Sequence, residues 1–374
     1  MKKVLFVFGT RPEAIKMAPL IANFSNDSNF DVKVAITAQH RQMLDQVIDF
    51  FDIKVDFDLN IMKHNQTLHQ LTSDLIERIT TDILLTDSFD YVFVQGDTTT
   101  VLAASLAAFY QKIKVVHIEA GLRSHDMHSP FPEEMNRVLT SRLASYHFCP
   151  TAVSKENLNN ENITKNVYVV GNTVIDALLM GLDKIKNADE STFLNQFKSI
   201  DFSKKIVLVT CHRRENFGKP FEEICEALLE IAHSQSENVE IVYPVHLNPN
   251  IKEIAHQKLI APNIKLITPL DYQELIWMMD KSYLILTDSG GIQEEAPSLG
   301  KPVLVLREVT ERTEGVDAGT AILVGSDKFK IVSVALKLLE NQSYYSSIAS
   351  SSNPYGDGTT CEQIKEILKY SQSN

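Results

Sequence analysis

Short apolar runs alternate with helix-compatible segments from one end of this chain to the other, and few folds accommodate that rhythm. The runs fall at 3–8, 32–36, 91–94, 115–118, 146–149 and 167–170, then at 206–209, 241–245, 264–267, 283–286, 303–306 and 321–324. Most are apolar throughout, as expected of strands covered on both faces. Between them, helices are expected at 13–24, 41–51, 68–85, 101–110, 133–144, 176–186, 221–232, 272–279, 329–339 and 361–370. Pro19 is expected to bend or end the first helix, and Pro132 opens the one at 133. Repeated strand–helix alternation calls for an α/β protein with a doubly wound parallel sheet under helices on both faces.

At 374 residues the chain exceeds the roughly 250–300 that a single hydrophobic core serves. The rhythm pauses over the polar 186–205 and then restarts, so two Rossmann-like domains facing across a cleft are expected. Their bounds are 1–170 and 171–356, with helix 176–186 as the bridge and a last helix within about 357–374 packing back on the first domain.

Composition excludes several classes. The chain is 44% hydrophobic and 22% charged, which suits a globular protein. A net charge of −12 argues against nucleic-acid binding, so an anionic ligand needs a local cluster of cations. No window approaches the roughly 18 consecutive apolar residues of a membrane helix. The opening MKKVLFVFGT runs straight into Arg11-Pro12-Glu13 and reads as a first strand, not a leader. Cys149, Cys211, Cys225 and Cys361 have no CxxC spacing and read as reduced thiols of a cytoplasmic protein. Cys211 next to His212 does not read as a nucleophile, because neighbours on a strand point to opposite faces.

The chemistry gathers around 282–315. An apolar run there ends in Asp288-Ser289-Gly290-Gly291, followed by a helix-compatible IQEEAPSLG that closes on Gly300. Read functionally, a Ser-Gly-Gly at a strand-to-helix turn offers backbone N–H groups to a phosphate; read structurally, it is a turn with a capping serine. Glu294 and Glu295 lie a turn further in, where a carboxylate can accept from ribose hydroxyls. The other strand ends carry Gly9, Thr10, Arg11, Glu13 and Lys16, then Gly96 and Asp97, then Glu119, Gly121 and Arg123. Glu133, Glu134 and Arg137 follow, and the second half adds His212, Arg213, Arg214, Glu215 and His246. A lone carboxylate after a strand often only caps a helix. Ligands of open parallel sheets, however, bind beyond the carboxyl ends of the strands, where all of these fall. Carboxylates in the first half and cations in the second suit a sugar and a nucleotide diphosphate, respectively.

FGTRPEAIKMAPL, QGDTTT, HIEAGLRS, PFPEEMNR, HRREN, VHLNP, DSGGIQEEAPSLGKPVLVLR and NPYGDG occur in this order over essentially the whole chain. Together they resemble the non-hydrolysing UDP-N-acetylglucosamine 2-epimerases. The resemblance implies a GT-B-like fold, typically a homodimer, and reversible conversion of UDP-N-acetylglucosamine to UDP-N-acetylmannosamine without added cofactor or metal. It also implies elimination and re-addition of UDP through a 2-acetamidoglucal, in support of bacterial capsule, teichoic-acid or other surface polysaccharide synthesis. Asp97, Glu119 and Glu133 become acid/base groups, and His212 and Arg11 serve the diphosphate. Lys16, Arg213, Ser289, Gly290, Gly291, Glu295 and Arg312 surround the nucleotide. In some members a second copy of the substrate binds as an activator; the matching positions are Gln39, Gln42, Gln66, Glu134, Arg213 and His246. Asn65 here replaces an arginine of those members, and Cys211 replaces a glycine before HRREN.

Two other functions fit parts of the pattern. A GT-B glycosyltransferase would use the same nucleotide-sugar pocket, but the surplus of carboxylates in the first half argues against it. A silent nucleotide-sugar sensor has no use for Asp97, Glu119 and Glu133. His125 and His128 read as a solvated loop, not a metal site. His117 reads as packed or hydrogen-bonded, and Trp277, Met278 and Met279 read as core.

Overall fold

The computed structural model describes residues 1–38, 41–62, 66–187 and 189–371. They form two compact units: Met1–Ala177 with Tyr355–Asn374, and Leu178–Pro354. The chain passes from one to the other within the helix Thr173–Lys186.

The first unit is built on β1 (Lys2–Phe8), β2 (Phe30–Ile36), β3 (Phe57–Asp58), β4 (Tyr91–Gln95), β5 (Lys114–Ile118), β6 (Tyr146–Cys149) and β7 (Val167–Val169). They pair in parallel as a 7-stranded sheet of order β3-β2-β1-β4-β5-β6-β7. The winding reverses between β1 and β4, which opens a crevice at their carboxyl ends. Val4 to Phe8 have no exposure at all, because helices cover both faces of the sheet. Phe6 stacks on Phe93 with centroids 4.4 Å apart, and Phe24 meets both rings edge-on. Burying each such ring contributes about 1.5–3 kcal/mol, which fixes β1 against β4.

The second unit repeats the plan with β8 (Lys205–Thr210), β9 (Val239–Pro244), β10 (Ile264–Ile267), β11 (Leu284–Thr287), β12 (Val303–Val305) and β13 (Ala321–Leu323). This 6-stranded parallel sheet has the order β10-β9-β8-β11-β12-β13, with its switch between β8 and β11. Trp277 closes one edge of the core, sandwiched flat against Phe193 and Phe197 with Phe202 edge-on. Met278 and Met279 are buried beside it, as the apolar spacing implied.

Several local expectations change. Pro19 lies inside an unbroken helix, Arg11–Ser25. Pro19, Leu20 and Ile21 are all in contact with the core, and that burial outweighs the backbone hydrogen bond that proline removes. The long helix at 68–85 is α-helical over Leu68–Ile79 and then widens into a π-helical turn, Thr80–Leu84. Helices Ala152–Asn160, Pro249–Lys258 and Gln342–Ala349 and the two-residue β3 were not foreseen; their polar sequences give little apolar periodicity. The last helix, Thr360–Lys369, belongs to the first unit. Lys2 Nζ donates to the carbonyls of Leu368 (2.5 Å), Lys369 (3.1 Å) and Ser371 (2.6 Å) at its C-terminus, where a cation is favoured. All four cysteines are buried free thiols. Among the described residues, no helix is long and apolar enough to cross a membrane.

Candidate active site

In the first unit the turn after β1 is shaped by Glu13. Its Oε2 accepts from the backbone N–H of Gly9 and Thr10, both at 2.7 Å, and from Thr10 Oγ1 at 3.0 Å, while Oε1 accepts from Thr98 Oγ1. Burial pushes this carboxyl up, against the four hydrogen bonds. Glu13 therefore ties the β1 turn to the β4 turn across the switch point, and Arg11, half-buried, starts the helix that leaves it.

Glu119 follows β5 with φ of 62°, a left-handed conformation that non-glycine residues adopt only when their surroundings force it. Lys16 Nζ lies 2.5 Å from its Oε1, which also accepts from Asn172 Nδ2 at 3.1 Å; Gln95 donates to Oε2. Asp97 lies after β4 and accepts from Arg137 Nε at 2.9 Å, with Nη2 2.7 Å from the same oxygen. Burial raises the Asp97 pKa; Arg137 opposes the rise and the Glu119 charge adds to it. Asn136 pins the Asp97 carbonyl at 2.8 Å, and His117 Nε2 bonds the Gly96 carbonyl at 2.8 Å. His117 is thus a packed, hydrogen-bonded ring whose burial holds its pKa at about 4. Glu133 stands half-buried at the first position of its helix. Its neighbour Glu134 accepts from the backbone N–H of Ser124 and His125 and from Arg137 Nη1 at 2.9 Å, which lowers its pKa against its own burial.

In the second unit, β8 ends at Thr210 and β11 at Thr287, adjacent in register. The turn after β8 wraps over Asp288, which is wholly buried. Asp288 Oδ2 accepts from the backbone N–H of His212 and Arg213, both at 2.8 Å, and from Asn216 Nδ2 at 3.0 Å. His212 Nδ1 is 3.2 Å from Oδ1, and the His246 ring stacks on His212 with centroids 5.7 Å apart. Ser289 stands at the N-terminus of the short helix Gly290–Glu295 without a side-chain capping bond, and the helix passes into a 3₁₀ turn and stops at Gly300, φ 66°. Arg312 lies over the glycines: a Cβ on Gly290 would touch its guanidinium at 3.6 Å. Its Nε donates to Glu294 Oε1 at 2.7 Å. Glu295 is buried and accepts from Tyr272 Oη at 3.0 Å.

The family model for UDP-N-acetylglucosamine 2-epimerase matches residues 22–369. The chain belongs to this family. A UDP-N-acetylglucosamine 2-epimerase of Salmonella typhimurium is 53% identical over 371 residues, 98% of either chain. The crystal structure of the Neisseria meningitidis UDP-GlcNAc 2-epimerase bound to UDP-GlcNAc superposes with a TM-score of 0.88 at 50% identity, covering 99% of this chain and 100% of that one. A Staphylococcus aureus co-structure with UDP gives 0.85 at 44%, covering 99% and 96%. These matches place the chain among isomerases and its two sheets among the GT-B-like structures of the epimerase family.

Within this epimerase framework the residues expected at the sites form two local sets. Arg11, Lys16, Asp97, Glu119 and Glu133 lie at the carboxyl edge of the first sheet, and His212, Arg213, Ser289, Gly290, Gly291, Glu295 and Arg312 at that of the second. Of the positions matched to an activator site, Gln39 lies outside the described residues. Gln42 is exposed on its helix, Gln66 donates to Asp74 at 3.0 Å, Glu134 is spent on Ser124, His125 and Arg137, and His246 lies against His212. Sequence reading assigned no role to Gln95, Asn172, Asn216 or Asp288. Gln95, Asn216 and Asp288 nonetheless fall within the motifs QGDTTT, HRREN and DSGGIQEEAPSLGKPVLVLR.

Proposed function

We propose that this chain interconverts UDP-N-acetylglucosamine and UDP-N-acetylmannosamine. Carbon 2 of the sugar has no carbonyl beside it, so its proton is not directly acidic. Departure of UDP from carbon 1 leaves an oxocarbenium-like centre that makes that proton removable. A carboxylate of the first unit takes it, giving 2-acetamidoglucal and UDP. A proton then returns to carbon 2 on the opposite face as UDP adds back to carbon 1, so atoms and charge balance without an external co-reactant. Such a route needs acid/base groups and a cationic cradle for the leaving diphosphate, each acid or base contributing typically 10²–10⁴-fold.

The observation that carries the reading is the pair Asp97 and Glu119. Asp97 has a raised pKa while held by Arg137, and Glu119 is buried, in a left-handed backbone conformation, against Lys16. Carboxylates so held are groups prepared for proton transfer. Glu133 completes the acid/base set, while Arg11, Arg213, Arg312 and the Ser289 turn bind the nucleotide and its diphosphate. The product feeds the synthesis of bacterial surface polysaccharides in the cytoplasm, and the working enzyme is a homodimer. The test is incubation with UDP-N-acetylglucosamine in deuterated water followed by NMR. Deuterium at carbon 2 and accumulating UDP-N-acetylmannosamine are expected without added NAD or metal. Free sugar and UDP as the only products would overturn the reading.

A further inference from the structure

We infer that Asp288 is a positioning residue: it holds the neutral ring of His212 as the Nδ1–H tautomer, so that Nε2 is the nitrogen presented to substrate. The inference rests on the reaction proposed above for its catalytic meaning and on the second unit alone for its geometry.

Asp288 cannot turn. It has no exposure, and its Oδ2 is claimed by three donors: His212 N, Arg213 N and Asn216 Nδ2. Asn216 is itself tied to the Leu306 carbonyl at 3.1 Å and lies 3.5 Å from Cys211 Sγ, while Tyr243 Oη holds the Cys211 carbonyl at 2.9 Å. This locked frame leaves Oδ1, a buried acceptor with no hydrogen-bond partner among the described residues, 3.2 Å from His212 Nδ1. An ionised carboxylate only accepts hydrogen bonds, and a buried acceptor left unpaired is costly, so the ring nitrogen that satisfies Oδ1 is one that carries the hydrogen. Nε2 then holds the lone pair, on the side of the ring away from the carboxylate. The side chain of His212 is 45% exposed, and its ring lies flat against His246, so one edge is anchored and the other open.

With Nδ1 already bearing a hydrogen, any second proton on the ring goes to Nε2. Nε2–H then donates to a diphosphate oxygen as the bond to carbon 1 breaks, with the bonding pair remaining on the departing oxygen. Asp288 touches no reacting atom. Its role is to choose which nitrogen does.

The test is ¹⁵N NMR of the full-length protein labelled in histidine, at a pH where His212 is neutral, with Asp288→Asn alongside. Wild type is expected to show the Nδ1–H pattern. In Asp288→Asn the amide oxygen must face the three donors, so its NH₂ faces the imidazole and the tautomer reverses to Nε2–H. kcat should fall by about 10²–10⁴, toward the roughly 10⁴ that the same tautomer error produces in a serine-protease triad. KM for UDP-N-acetylglucosamine should stay within about threefold. An Nε2–H ring in wild type, or an unchanged tautomer in a folded Asp288→Asn, would sink the inference. If Asp288→Asn does not fold, the wild-type spectrum decides alone. The tautomer is read without turnover, so an inactive wild type with an Nδ1–H ring would discard the proposed reaction but not the tautomer assignment.

Discussion

Lys16 Nζ sits 2.5 Å from Glu119 Oε1, with side-chain exposures of 15% and 7%, and so joins the first helix to the end of β5. An ion pair this enclosed is costly to break, because the surviving charge is left desolvated. Lys16→Met is therefore expected to destabilise the protein by roughly 3 kcal/mol and to lower turnover by at least about 10². Urea denaturation and kinetics together check this. A stable, active variant would remove the pair from both fold and mechanism.

Asp97 yields a prediction about pH. Burial raises its pKa and Arg137 holds it down. In the proposed reaction with Asp97 as base it must be ionised, so activity rises with pH through its raised pKa. Removing the cation in Arg137→Met lets that pKa climb further, so the acid limb of the kcat/KM profile should move to higher pH. A limb that stays in place, or moves to lower pH, would show that another group sets it.

Asp288 and His117 both shape the acid side of the stability curve. Burial alone would raise Asp288, but His212 and the backbone N–H groups of Arg213 and His212 hold it at about 2, against an ordinary 3.8. Its contribution of about 2 kcal/mol is present above the unfolded pKa and lost as pH falls through the folded value. His117, held at about 4 by burial against an ordinary 6.5, must take up a proton on unfolding. It costs stability as pH falls from about 6.5 to 4, by about 3 kcal/mol in all. His117→Gln should flatten the pH dependence of denaturation in that upper window, and Asp288→Asn below about pH 4. Parallel curves for wild type and both variants would refute the assignments.

Gly121, in the EAGLRS segment, is predicted to matter for packing rather than for chemistry. Its φ is +88°, and a Cβ there would stand 2.1 Å from the Ser154 carbonyl oxygen. Gly121→Ala should cost several kcal/mol through clash and backbone strain. Thermal unfolding reads the loss, and a melting temperature like that of wild type would contradict it.

The sequence by itself determined the architecture, since alternating apolar runs and helical segments leave little besides two parallel sheets. It also determined where polar groups collect, because parallel strands carry their outgoing βα loops at one, carboxyl, edge of the sheet. Where local composition was polar, as in Ala152–Asn160 and Pro249–Lys258, periodicity was too weak to reveal a helix. Pro19 misled for the opposite reason: a local helix-breaking preference gave way to burial contributed by distant residues.

Only the tertiary structure decided what each carboxylate does. Glu13, Glu119, Glu133, Glu134 and Asp288 are alike as sequence, one acid near a strand end. Folding makes Glu13 a cap, Glu134 a brace for the backbone of 124–125, Glu119 the partner of Lys16, and Asp288 the anchor of His212. Those roles depend on which donors come within about 3 Å and how much water is excluded, quantities set by contacts that range from 3 positions apart for Glu13 and Thr10 to 103 for Lys16 and Glu119. Strand periodicity carries no record of them.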